Sequence, residues 1–189
     1  MGAEYLPLIR SLMELDAPIR IFGGFAEDAL LGGRIRRHHD DVDVMIARDA
    51  LDRGLRMFEE LGFEPPEIRF EPTAGSPLVM GTVREGLNLE LSVIDIAQTG
   101  LPSFTLPGER GLVRVLLPPD TWSWPSCELE GIVVRTISPL ALYQIRSGLT
   151  IVGAMGPPRP KDITSQRALR ERFFPDEPEA SLEPVIELL

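Results

Sequence analysis

Two aspartates spaced two apart, Asp41 and Asp43, stand at the head of an apolar run, Val42 to Ala47. In an extended strand residues i and i+2 face the same side, so the two carboxylates project together while Val42 turns into a core. Like charges that close repel, and each raises the other's pKa unless a cation lies between them. A hard divalent ion such as Mg2+ suits them, because it takes oxygen ligands and is usually held by one or two carboxylates together with substrate phosphates. By itself, a D-x-D pair is more often a solvated strand end.

The residues just upstream change that balance. Gly23 and Gly24 follow a short apolar run, Ile19 to Phe22, and precede a helix-like segment. Paired glycines let the backbone approach a ligand closely. The start of the helix offers unpaired N–H groups and the positive end of a dipole, which suits phosphate. A basic loop containing Arg37 and His39 then leads into the aspartates. Gly-Gly, a helix and D-x-D within about 25 residues is far more specific than any one of them.

This block resembles the small antibiotic nucleotidyltransferases, lincosamide nucleotidyltransferases and aminoglycoside adenylyltransferases in particular, of the polymerase-β-like nucleotidyltransferase superfamily. Their pattern runs G-G-[WF]-A-x-D-x-L-x-G, then R-x-H-x-D-[IV]-D. Here it is met by Gly23, Gly24, Phe25, Ala26, Asp28, Leu30 and Gly32 or Gly33, then by Arg37, His39, Asp41, Val42 and Asp43. Phe25 stands where the family often has Trp. The resemblance implies that Asp41 and Asp43 are catalytic and hold two Mg2+ ions. It also implies that Gly23, Gly24, Asp28, Arg37 and His39 serve the nucleoside triphosphate, the glycines cradling the β- and γ-phosphates.

The resemblance implies a third carboxylate on a strand beside the first two. In Leu87 to Ile96 the residues Leu87, Leu89, Leu91 and Val93 alternate with Asn88, Glu90, Ser92 and Ile94, the pattern of a half-buried strand. Glu90 therefore faces away from the leucines. The resemblance aligns LELSVI with a family motif like L-D-I-H-P-[IV], which makes Glu90 the third acid and puts Ser92 where the family has His. Asp95 is the rival acid, but alternation puts it on the leucine face. Further on, Lys161-Asp162 and Leu169 resemble a K-D-x-x-D-[IL]-x-x-L segment, with Ser165 in place of its second acid. Lys161 is then a compact charge for the triphosphate.

The elements that must position these groups follow from periodicity. Glu4 to Leu15 is an amphipathic helix, Ile19 to Phe22 a strand, Ala26 to Leu31 a short helix and Asp41 to Ala47 a second strand. Asp49 to Leu61 is a helix with an apolar stripe ended by Gly62. Phe63 to Phe70 leads into a strand kept near an edge by Pro65-Pro66. Leu78 to Val83 follows the Gly75-Ser76-Pro77 turn as another short strand. Gln98 to Glu130 reads as a hairpin with a long loop, in which Trp122 and Trp124 are expected to anchor the loop to the core. Gly131 to Arg135 is a strand, and Ser138 caps a helix through Ser147 with Pro139 at its first position. Met155 to Pro160 is a Pro-rich loop, and Asp176 to Leu189 is expected to be an acidic tail or frayed helix.

The expectation is therefore an α+β chain with the nucleotidyltransferase fold, a mixed β-sheet flanked by helices. Residues 1–136 form the core, and 137–189 form a C-terminal helical segment packed on it. The resemblance runs by element order from about residue 5 to about residue 172. It implies transfer of a nucleoside monophosphate, AMP from ATP, to a hydroxyl of a small molecule, with antibiotics among the acceptors. A toxin-type enzyme acting on a protein or tRNA, and a non-catalytic nucleotide-binding or scaffold domain, are the alternatives. The 189 residues carry 29 acidic against 19 basic side chains, net −10. That charge counts against nucleic acid as a partner and suits a cationic acceptor, although it serves solubility equally well. Cys127 is the single cysteine, so zinc-cluster and disulfide chemistry are set aside. No signal peptide or membrane span is read, which makes the expected location cytoplasmic.

Overall fold

The computed structural model describes residues 2–73, 76, 78–108, 111–151 and 159–189. The Gly75-Ser76-Pro77 turn and the Pro-rich stretch 155–158 fall wholly or in part outside them. Helix α1 (Leu6–Glu14) leads through strand β1 (Arg20–Ile21) into helix α2 (Gly23–Leu30). Strand β2 (Val42–Ala47), helix α3 (Leu51–Glu60) and strands β3 (Glu67–Phe70), β4 (Val79–Arg84) and β5 (Leu87–Ile96) follow. Next come β6 (Pro102–Gly108), β7 (Gly111–Leu116), β8 (Cys127–Leu129) and β9 (Ile132–Val134). Helices α4 (Pro139–Ile151), α5 (Pro160–Phe173) and α6 (Glu179–Leu182) precede a last strand, β10 (Val185–Leu188).

The sheet is mixed. β2 pairs antiparallel with β1 and parallel with β5, while β4 pairs antiparallel with β5 and carries β3 at the edge. β5 is long enough to serve two groups of strands: its last residues, Asp95 and Ile96, pair with β6, which continues through β7 to β10. The expected helices, the mixed sheet and its flanks are all present. The tail is the exception. Val185 to Leu188 is not helix but strand, in register with Leu116 to Val113. The short run Val185 to Leu188 is rich in strand-forming residues and pairs with the open edge of β7, and that gives more backbone hydrogen bonds than a frayed helix could keep.

Alternation on the two central strands separates the faces. Val42, Val44 and Ile46 of β2 and Leu89, Leu91 and Val93 of β5 are buried on one side. Helix α3 lies close against them, since a Cβ on Gly54 would come 3.0 Å from Ile46 and 3.1 Å from Leu91. The other face carries Asp43 and Met45 beside Glu90, Ser92 and Ile94, in direct register. Six fully buried aliphatic side chains on the first face contribute about 1.5–3 kcal/mol each. They fix the register, because a slip of one residue would bury the acids instead.

Candidate active site

A cavity of about 430 Å³ opens on the second face. Asp41, Asp43 and Glu90 form its floor, each offering an oxygen so that the three lie within 4.8 Å of one another. The pairing Asp43↔Glu90 across parallel strands produces this convergence. Burial first, then the Asp41 and Glu90 carboxylates, push Asp43 up to about 8, while Arg146 and Lys161 pull it back. Three hard oxygens with a charge surplus of this size fit a divalent cation of the Mg2+ class. Asp95 lies away from them and is bonded to Arg48.

The glycine turn sits directly above. Helix α2 begins at Gly23 rather than at Ala26, so both glycines lie in its first turn. The Phe22 N–H donates to Asp43 O at 3.0 Å, which ties the turn to the acid strand. Gly23 has φ +65°, and a Cβ there would overlap the Asp43 carboxylate. A Cβ on Gly24 would overlap His39 Nδ1 and come within 2.8 Å of Arg37. The glycines thus make room for the protein's own side chains as well as for a ligand.

Arg37, His39 and Lys161 line the same cavity. Asp28 does not. It is fully buried on a face of α2 that does not line the cavity, where its Oδ2 lies 2.6 Å from His39 Nε2 and it accepts from Arg36 N and Nε at 3.2 Å. Burial would raise its pKa, but the His39 and Arg36 bonds hold it below the usual carboxylate range. His39 also packs on Phe25 at 4.2 Å between ring centroids. The aspartate of the motif therefore braces the loop that delivers Asp41. Tyr5 helps, donating to Asp40 O at 2.7 Å.

Helices α4 and α5 bring two further cations, Arg146 and Arg159, that reading the chain did not single out. Arg146 donates to Glu27 Oε2 and Asp162 Oδ1, both at 3.0 Å, and Arg159 donates to Asp162 Oδ2 at 2.7 Å. Desolvation lowers the pKa of Arg146, opposed by Glu27 and Asp162. The available signal was an arginine on the helix face of Leu142 and Ile145, which also line the cavity. Lys161 has no hydrogen-bond or ion-pair partner among the described residues. Ser165, which replaces the family's acid, donates to Glu27 Oε2 at 2.5 Å. That bond ties α5 to α2. Trp124 packs edge-on against Phe173 at 6.2 Å, and neither tryptophan lines the cavity.

Residues 6–77 match the family model described as aminoglycoside-2''-adenylyltransferase. The solved antibiotic-resistance factor ANT(2'')-Ia is similar with a TM-score of 0.61 at 20% identity, over 90% of this chain and 85% of that one. This chain carries the nucleotidyltransferase fold. ANT(2'')-Ia in complex with adenylyl-2''-tobramycin gives a TM-score of 0.58 at 20% identity over 89% and 88% of the two chains. The lincomycin-bound lincosamide adenylyltransferase LnuA gives 0.53 at 17% identity over 88% and 93%. No curated protein sequence matches the chain. On this nucleotidyltransferase fold, none of the described helices is long and apolar enough to cross a membrane.

Proposed function

We propose that the protein is a divalent-metal-dependent nucleotidyltransferase that moves AMP from ATP to a hydroxyl of a small molecule, with antibiotics as the first candidates. One observation carries this reading. Three converging carboxylates, a glycine turn at a helix start and a wall of four cations, Arg37, Arg146, Arg159 and Lys161, share one cavity. The family match over residues 6–77 supports the antibiotic class of acceptor.

Bound divalent cations supply charge stabilisation at the attacking and leaving oxygens of an in-line displacement. Asp41, Asp43 and Glu90 would hold them. Gly23 and Gly24 present the start of α2 to the β- and γ-phosphates, and Lys161 and Arg37 neutralise those groups. The acceptor oxygen bonds to the α-phosphorus as the bond from that phosphorus to the β-phosphate bridging oxygen breaks, and pyrophosphate leaves. Glu90 takes the hydroxyl proton, provided the hydroxyl lies within hydrogen-bond reach. Apolar side chains beyond the acids, Met45, Ile94 and Phe104 among them, give the acceptor a dry wall.

The test is pyrophosphate release from ATP with Mg2+ and a panel of hydroxyl-bearing antibiotics, tobramycin and lincomycin included. Wild type is expected to turn over at least one of them, and the Asp41→Asn, Asp43→Asn double variant none. Undiminished turnover in that variant refutes the mechanism.

A further inference from the structure

Glu90 is held from behind. Arg69 of edge strand β3 hydrogen-bonds to Glu90 Oε1 and donates to Asn88 Oδ1 at 2.9 Å. Two features of the neighbouring strands make this reach possible. The β3–β4 register shifts between Ile68 and Phe70, and Arg69 lies in that irregularity. Between Arg69 and Glu90 stands Gly81 of β4, paired directly with Glu90. A Cβ on Gly81 would lie 2.6 Å from Arg69 Nε and 2.7 Å from its Cζ. The guanidinium therefore lies flat across a strand position that has no side chain.

Such a contact could draw Glu90 away from a cation or aim it at one. The geometry decides between them. The oxygens of Asp41, Asp43 and Glu90 already lie within 4.8 Å of one another while Arg69 holds Glu90. Only Oε1 is bonded to Arg69, which leaves Oε2 for the cavity. A glutamate has one more rotatable bond than an aspartate, so its carboxylate is harder to aim, and a planar forked donor is suited to fixing it.

We propose that Arg69 is a positioning residue that orients Glu90 toward the cation, with Gly81 as its required clearance. The inference rests on the proposed metal site. It differs from a general structural role in one respect: Gly81→Ala leaves Arg69 in the chain but displaces it. Gly81 has no positive φ, so an alanine is otherwise tolerated there.

The experiment is Mn2+ titration by calorimetry or electron paramagnetic resonance on wild type, Arg69→Ala, Gly81→Ala and the double variant, with melting temperature followed in parallel. Partners of metal ligands typically contribute 10–100-fold in affinity. The expected result is about a tenfold weaker Mn2+ affinity in each single variant and no further loss in the double. Arg69→Lys should recover part of the loss. Unchanged or tighter Mn2+ binding in Arg69→Ala would overturn the proposal, as would single effects that multiply in the double variant. Failure of the metal site itself shows separately, because wild type would then not bind Mn2+.

Discussion

Asp28, on helix α2 and away from the cavity lining, and Asp43, in that lining, are two acids on one motif with opposite surroundings. Asp28 is fully buried and has a hydrogen-bond partner for each oxygen, His39 and Arg36, and its pKa lies below the usual range. Asp43 is crowded by burial and by two more carboxylates, and its pKa rises to about 8. The first arrangement is satisfied by the chain alone. The second leaves negative charge that Arg146 and Lys161 offset in part and that a bound cation would balance. A buried acid with its partners present points to architecture, and one gathered with its own kind points to a ligand.

Substitutions should separate the two. Asp43→Asn is expected to cut turnover on the order of a thousandfold or more, without lowering the melting temperature, because it relieves repulsion. Asp28→Ala should do the reverse. It should cost about 3–5 kcal/mol of stability, read from denaturant unfolding, because it strands the buried partners of a charge pair. A smaller effect is expected at Ser165→Ala, about 2 kcal/mol for a hydrogen bond to a charged group, with turnover largely kept. Lys161→Met should raise the KM for nucleotide about tenfold, as loss of one charge contact, and leave unfolding unchanged.

The pH dependence is the finest discriminator, because the two acids slope in opposite directions. Asp28 is depressed, so its contribution is present above the usual carboxylate value of 3.8 and is lost as pH falls through its lower folded value. Asp43 is raised from 3.8 to about 8. Between those values the folded state holds a proton that the unfolded chain has released, so metal-free stability falls as pH rises across that window. Asp43→Asn should flatten that slope. Metal binding at pH 7 to wild type should release a proton, measurable as a buffer-dependent calorimetric enthalpy.

What the chain revealed in advance was what depends on local spacing. Gly23, Gly24, Asp41 and Asp43 lie within one short block, the period of its strand turns Glu90 away from the leucines, and the resemblance puts it beside the aspartates. Arg69 and Arg146 were not legible. Arg69 depends on a strand irregularity and on a missing side chain at Gly81, while Arg146 meets Glu27 across 119 residues. Asp28 is identified by motif, but its place away from the cavity is not, because the motif names the residue without saying which face of α2 it occupies. The terminal strand was missed because its partner edge, Val113 to Leu116, lies in a stretch read only as a hairpin with a long loop.

Glu27 accepts from Arg36 at 2.9 Å, from Arg146 at 3.0 Å and from Ser165 at 2.5 Å. One side chain thus moors three distant segments to the helix that begins with the glycine turn. Among the described residues, the strands β3, β4 and β6 have no hydrogen bond or ion pair to Glu27. For the proposed transferase, change in acceptor preference is therefore expected at the cavity-facing positions of β4 and β6, Val79 and Phe104, while the helix start that would receive the nucleotide stays in place.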